Sequence, residues 1–229
     1  MAVILNIDTS TDVCSTALTA DGMILCHYED FEGRNHAARL SGFIKGCLDR
    51  LNELELKLEA VAVSLGPGSY TGLRIGLSEA KGLAYALDIP MIGVDTLQIM
   101  ACNAMFNHDL DSDSLLVPMI DARRMEVYAA VYDMALGEVM NPQPVILDSE
   151  SFTGLIPERP MVVFGDGSVK AREVLTRPGV TYISDIKPLA VDMLALAERD
   201  YMRGNFIDRA YSVPNYLKEY QALKPKRMF

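Results

Sequence analysis

Three histidines, four cysteines and 21 basic residues against 31 acidic ones are the scarcities of this 229-residue chain, and each removes a class of function. His27, His36 and His108 include no pair at helical i, i+4 spacing, so a two-histidine metal site built within the chain is not expected. Cys14, Cys26, Cys47 and Cys102 show neither C-x-x-C nor zinc-ligand spacing, and they read as small hydrophobes or ordinary thiols of a reducing compartment. No segment approaches the roughly 18 apolar residues of a membrane span. The N-terminal "MAVILNIDTSTD" enters an alternating strand without a basic leader, so the expectation is a cytoplasmic protein with no membrane partner. A formal charge of −10 gives a poor grip on a polyanion. The basic exception is the tail "YLKEYQALKPKRMF", with Lys218, Lys224, Lys226 and Arg227. It reads as a solvated end, or as a contact with RNA beside a partner, and both readings stay open.

What is present is enough apolar residue, 50% of the chain, for a substantial core. "AVILNID" (2–8) and "CSTALTAD" (14–21) read as strands, and Asp21-Gly22 as a hairpin turn into a third, "MILCHYED". Residues 36–51 carry apolar side chains at helical spacing. The strand "EAVAVSL", a glycine-rich loop, a helix over 72–88, the strand 90–95 and a helix from Thr96 follow. From residue 114 the plan restarts. "SLLVPMID" and "MEVYAAVYD" are strands around "ARR", a third strand lies near 143–148, and a short helix over 151–156 precedes the strand 161–166. A helix, the strand "TYIS" and a long helix from Leu189 complete it. Element order therefore repeats although sequence does not. The expectation is an α/β protein of two lobes, residues 1–108 and 109–229, each a mixed sheet with flanking helices, the last helix returning to the first lobe. The turns at Asp8-Thr9-Ser10 and Asp121-Ala122-Arg123 would then face one cleft, as in the actin, sugar kinase and heat-shock chaperone superfamily, which clamps nucleotide there.

"SLGPGSYTGLRIG" (64–76) lies between a strand and a helix, the order of a phosphate cradle. Neither known fingerprint completes. A Walker A loop counted from Gly66 needs its second glycine at Thr71 and then a Gly-Lys pair that is absent; the dinucleotide pattern opens with Gly66 and Gly68 but also reaches Thr71. Gly66, Gly68 and Gly72 either hold an anion or give the backbone angles and close packing of a tight junction.

"ILNIDTSTDVCSTAL", "SLGPGSYTGLRIGLSEAKGLA", "MIDARRMEVYAAVY" and "VPNYLKE" together resemble the TsaB (YeaZ) family over nearly the whole chain. The resemblance implies an actin-like fold. It also implies a non-catalytic subunit that forms a heterodimer with its paralogue TsaD, joined by the ATPase TsaE. As such it would activate formation of N6-threonylcarbamoyladenosine at position 37 of tRNAs reading ANN codons. Contact with tRNA would come only through the complex, and a homodimer in the absence of the partner is left open. The metal-binding histidine pair of TsaD-like enzymes is incomplete, since His36 is followed at i+4 by Leu40. His36 is then a helix-start or interface residue.

The turns "DTSTD" and "DARR" lack the glycines of nucleotide-binding members, and "GDG" (165–167) is short. The nucleotide site is thus expected to be vestigial, made of Asp8, Thr9, Ser10, Gly66, Gly68, Ser69, Thr71, Gly72, Arg74, Asp121, Gly165 and Gly167. No cofactor is required, and weak ATP or ADP binding stays open. Arg74 would bind an anion or pair with a carboxylate. The family pairs through its two first-lobe helices in a four-helix bundle, which points to His36, Leu40, Ile44, Cys47, Gly76, Leu77, Ala80 and Ala84 as the partner face. The apolar arc of the 72–88 helix is wider than the ~100° stripe of a helix packed on its own core, although the sheet and the 36–51 helix could bury all of it. The alternative is an independent nucleotide-using phosphotransferase with Asp8 or Asp121 as base. A peptidase ranks last, for no G-x-S-x-G elbow or legible triad is present.

Overall fold

The computed structural model describes residues 2–33, 35–154 and 159–218. Among the described residues ten strands form two five-stranded sheets. The first contains β1 (Ile4–Asp8), β2 (Cys14–Ala20), β3 (Met23–Asp30), β4 (Ala60–Gly66) and β5 (Met91–Asp95) in the order β3-β2-β1-β4-β5. The second contains β6 (Leu115–Asp121), β7 (Glu126–Tyr132), β8 (Glu138–Ile146), β9 (Met161–Phe164) and β10 (Val180–Tyr182) in the order β10-β9-β6-β7-β8. Strand for strand the second order is the first one over again. In each lobe an antiparallel hairpin meander runs into parallel strands beside the opening strand, β1 with β4 and β6 with β9. This is the two-lobed actin-like α/β architecture.

Alternation along the strands decides which helix packs where, because successive side chains leave opposite faces. Leu5 and Ile7 of β1 and Val61 and Val63 of β4 meet Leu40, Ile44, Cys47 and Leu51 of α1 (His36–Glu53) and Leu77, Ala80 and Ala84 of α2 (Tyr70–Leu87). Ile4, Ala60 and Ala62 leave the other face, against Ile99 and Cys102 of α3 (Thr96–Asn107). The same α3 turns Leu97, Met100, Ala101 and Ala104 to the second sheet, where Leu116, Ile120, Tyr132, Val162 and Phe164 receive them. A helix with apolar residues on two faces must be buried on both. Here it is the shared wall of the two lobes. Asp95 caps it, accepting the Leu97 and Gln98 amides at 2.8 and 3.1 Å, and receives the Tyr132 hydroxyl from the second lobe at 3.4 Å.

Four elements differ from the sequence reading. The third strand of the second lobe starts at Glu138, because Asp133 folds a tight turn by accepting the Ala135 and Gly137 amides, each at 2.8 Å. Its Pro142 and Pro144 are tolerated since β8 is an edge strand. The helix after Gly167 is a single turn, α4 (Ser168–Ala171). The long helix from Leu189 opens instead as a 3₁₀ turn, Ala190–Met193, before α5 (Leu194–Arg203). Residues 151–154 of the expected short helix form a turn, and the remainder lies outside the described residues.

The last part of the chain comes home to the first sheet. Met193, Leu196 and Ala197 pack on Ile4, Ala60, Ala62 and Ile92. Ile207 then bridges to Met91 at the sheet edge, and the Asn215 amide donates to the Leu65 carbonyl at 2.7 Å. Between these points the segment runs along α2, antiparallel to it. Arg209 pairs with Asp88 at 2.8 Å, Lys81 Nζ donates to the Ala210 carbonyl at 2.9 Å, and Tyr216 stacks on Tyr70 at 4.9 Å between ring centroids.

Candidate functional site: the cleft between the lobes

A cleft of about 1620 Å³ separates the lobes. Its first-lobe wall is the turn after β1 (Ser10 to Asp12), the start of α1 (His36, Ala37) and the loop leading into α2 (Pro67 to Gly72). Its second-lobe wall is the turn between β6 and β7 (Asp121 to Arg124), with Asp166 behind it.

The glycine loop is shaped by contact with the β1 turn. A Cβ on Gly68 would stand 2.1 Å from the Ser10 carbonyl oxygen, and one on Gly72 would stand 2.1 Å from that of Thr9. A Cβ on Gly76 would meet Thr9 Oγ1 at 2.3 Å. Thr9 Oγ1 in turn donates to the Gly72 carbonyl at 2.8 Å. The three glycines therefore let α2 lie directly on the backbone of the first turn. Gly66, at φ +110°, makes room for the returning tail, since a Cβ there would be 2.9 Å from the Asn215 carbonyl oxygen.

That closeness engages several amides of these turns. The Ser69 N–H donates to the Ser10 carbonyl at 2.6 Å, and the Gly72 N–H to Ser69 Oγ at 3.2 Å, the N-cap bond of α2. The Ser10 N–H donates to Asp8 Oδ1 at 3.2 Å. Across the cleft the Asp121 N–H donates to Asp166 Oδ1 and the Arg123 N–H to Asp121 Oδ1, each at 2.9 Å. The Gly167 N–H donates to the Met119 carbonyl at 3.1 Å.

Of the residues expected at a nucleotide site, Ser10, Gly68, Ser69, Thr71, Gly72 and Asp121 line the cleft. Asp8, Thr9, Gly66, Gly165 and Gly167 stand behind its walls. Asp8 is fully buried, and burial pushes its carboxyl up to about 6 against the lowering pull of its Ser10 hydrogen bonds. Asp121 is exposed and ion-paired with Lys170; partial burial, which would raise its pKa, is outweighed by Lys170 and the Arg123 amide, so the carboxyl sits below its ordinary range. Gly165 and Gly167 pack on β6, where Cβ atoms would meet the Met119 carbonyl oxygen and its Cβ at 2.2 and 3.0 Å. Arg74 pairs with no carboxylate among the described residues. Its guanidinium donates to Tyr70 Oη at 2.9 Å and lies over that ring, 5.4 Å from the centroid.

The eight residues expected to face a partner need correction. His36, Leu40, Ile44, Cys47, Gly76, Leu77, Ala80 and Ala84 are all buried within this chain. The small residues of α2 serve an internal approach to Thr9 and the sheet rather than an external helix. His36 is held by its ring, Nε2 lying 2.8 Å from the Thr11 carbonyl oxygen. The outward surface of the two helices is a groove lined by Ala37, Tyr70, Thr71, Arg74, Ile75, Ser78 and Glu79, with Ser41 Oγ donating to Glu79 at 3.0 Å. Among the described residues no three His, Cys, Asp or Glu side chains gather as metal ligands, and no helix is long and apolar enough to cross a membrane.

Two features escaped the sequence reading. One is the tail, which reaches the cleft mouth and there joins the lobes through an ion pair between Lys218 and Glu126. The other is the left-handed backbone of Arg123 and Arg124, consecutive residues at φ +69° and +51°. The left-handed region costs an L-residue roughly 1–2 kcal/mol, and glycine or asparagine is the usual occupant. Two arginines at the tip of a hairpin are the signal that could have marked this turn.

A family model described as TsaD, tRNA N6-adenosine threonylcarbamoyltransferase, matches residues 30–145. The tRNA threonylcarbamoyladenosine biosynthesis protein TsaB of Escherichia coli is 32% identical over 232 residues, covering 96% of this chain and 96% of its own length. The Haemophilus influenzae protein of the same name is 30% identical over 224 residues, covering 94% and 93%. The structure of YeaZ from Pseudomonas aeruginosa matches with a TM-score of 0.76 at 30% identity, over 95% of this chain and all of that one. Similarity of this extent, in sequence and in fold, means that the chain belongs to the TsaB (YeaZ) family.

Proposed function

We propose that this protein is a non-catalytic subunit of tRNA threonylcarbamoyladenosine synthesis, pairing with a TsaD-type transferase and activating it. The end-to-end likeness to proteins named for that pathway supports the pathway. One structural observation carries the non-catalytic reading. The amides of Ser10, Ser69, Gly72, Asp121, Arg123 and Gly167, which stand at the turns where a phosphate would be cradled, all donate to groups of the chain itself. A nucleotide would have to displace those bonds to use any of these six amides. The protein needs no cofactor in this reading, and any ATP or ADP binding is weak. Neither carboxyl that a phosphotransferase would use as base is placed for it: Asp8 is buried behind the wall and Asp121 is bound to Lys170.

Pairing uses the α1–α2 surface, through the groove between the helices rather than their buried stripes. An ATPase of the TsaE type joins that pair, and tRNA is met through the complex. The test is threonylcarbamoyl transfer to unmodified tRNA from threonylcarbamoyl-adenylate, with this protein alone, the TsaD-type protein alone, and both with the ATPase. Product only where the TsaD-type protein is present, increased by this chain, is expected. Product or steady ATP turnover from this chain alone would overturn the reading.

A further inference from the structure

Gly46 lets α1 lie close on β3, the edge strand of the first sheet. A Cβ there would stand 2.6 Å from Cζ of Tyr28, so any side chain would push that ring aside. The same ring stacks on Phe43 of α1, at 5.7 Å between centroids. In the pairing of β3 with β2, Tyr28 sits opposite Thr16 and Cys26 opposite Leu18. Residues two apart along a strand share a face, so Cys26 leaves the sheet on the α1 side, with Tyr28. Cys47, next to Gly46, comes down on the same place. Its Sγ is 3.5 Å from Thr16 Oγ1, and the Cys26 thiol lies within hydrogen-bonding reach of it. The other cysteines are elsewhere. Cys14 is two rungs further along β2, opposite Asp30, and Cys102 belongs to α3 on the opposite face of the sheet.

The two neighbouring thiols are unequal. Cys47 is wholly buried, and that burial is the largest influence pushing its thiol up to about 12. Cys26 is half-buried on an edge strand, within reach of solvent. The thiolate is the nucleophile of disulfide exchange, and access limits its rate. The accessible Cys26 therefore begins any exchange, and the enclosed Cys47 can only complete it.

We infer that Cys26 and Cys47 are a redox modification site, forming a reversible disulfide between β3 and α1 by exchange with a small-molecule disulfide of the glutathione type. The Cys26 thiolate attacks one sulfur of glutathione disulfide and expels a glutathione thiolate, leaving Cys26 bonded to the other glutathione. The Cys47 sulfur then attacks the Cys26 sulfur, and the second glutathione departs as its thiolate. The two thiol protons end on the two glutathiones. The protein has lost two electrons and two protons, and one glutathione disulfide has been reduced. Because Cys47 holds its proton tightly, the second step is the slow one, and the adduct on Cys26 accumulates before the internal bond.

The test is incubation of the native full-length chain with mixtures of glutathione and its disulfide. Acid quenching, alkylation of free thiols and mass spectrometry of the intact chain and its fragmented peptides follow. A glutathione adduct on Cys26 should appear first. It should give way to a chain lighter than the reduced one by two hydrogens, with Cys26 linked to Cys47, and dithiothreitol should reverse it. Cys26→Ser alters a half-buried residue and should form neither species. Cys47→Ala should stop at the adduct; the mapped linkage in the wild type and the Cys26→Ser result decide the matter if Cys47→Ala does not fold. An adduct on Cys26 that never resolves would overturn the inference, as would a linkage to Cys14 or Cys102. So would a native chain that keeps its thiols free under conditions where the urea-unfolded chain is oxidised.

Discussion

The amide of Ser69 donates to the carbonyl of Ser10 at 2.6 Å, tying the cap of α2 to the turn after β1. This one bond joins the two pieces of backbone between which a phosphate would have to enter, and the packing around it sets measurable stabilities.

Gly72 and Gly82 both sit in α2, yet alanine should act on them with opposite sign. At Gly82 a Cβ meets nothing within 4 Å, so Gly82→Ala should stabilise by about 0.5–1 kcal/mol through helix propensity. At Gly72 it would strike the Thr9 carbonyl oxygen, and Gly72→Ala should cost about 2–3 kcal/mol. Urea unfolding of both variants checks the pair; a stabilised Gly72→Ala would mean that the turn and helix are not in contact.

The helix surface and the helix core should separate in the same way. Ser78→Arg alters an exposed residue of the groove and should leave stability within about 0.5 kcal/mol while abolishing pairing with the TsaD-type protein. Leu40→Ala, inside the core, should cost about 2–5 kcal/mol. Size-exclusion chromatography of the mixtures, with melting curves of each variant, reads both effects.

Burial pushes the Asp192 carboxyl up to about 7, opposed by the Asn103 side chain, which donates to it at 2.7 Å. A carboxyl that holds its proton longer in the folded state than the ~3.9 of the unfolded chain destabilises as it ionises. Its contribution is therefore lost as pH rises from about 4 through about 7, and is absent above. Asp192→Asn keeps the acceptor for Asn103 and cannot ionise. The variant should be more stable than wild type at pH 8, by a margin on the order of 1–3 kcal/mol, with the two converging near pH 4. Thermal unfolding across that range measures it; parallel curves would show that Asp192 stays charged throughout.

Tyr216 fixes the returning tail by its stack on Tyr70 and its closeness to Arg74. Tyr216→Ala should cost about 1 kcal/mol and expose the bond after Arg209 to trypsin several times faster, with the cores intact. Unchanged cleavage would mean that Asn215 and Lys218 suffice to hold the segment.

The order and type of the elements were legible because alternation in the strands and turn residues such as Asp21-Gly22 are local signals. The direction in which α1 and α2 face was not. Gly76, Ala80 and Ala84 announce a close approach, but a sequence does not say whether the approaching body is a foreign helix or the chain's own Thr9 and sheet. The roles in the glycine loop were half legible for the same reason. Gly66 and Gly68 marked a tight junction, while the Ser10 carbonyl that fills it comes from more than fifty residues away in sequence. The tail was unreadable because "VPNYLKE" has no periodicity; its position depends on single contacts with Leu65, Tyr70 and Glu126.

The return of the chain to the first sheet has a consequence for how the protein is made. Met193, Leu196 and Ala197 cover one face of that sheet, and Ile207 closes its β5 edge. A ribosome that has released only the first hundred residues has therefore delivered a sheet with a bare apolar side and an open margin. The second lobe can collapse around its own strands as soon as they emerge. The first, though synthesised earlier, is finished last.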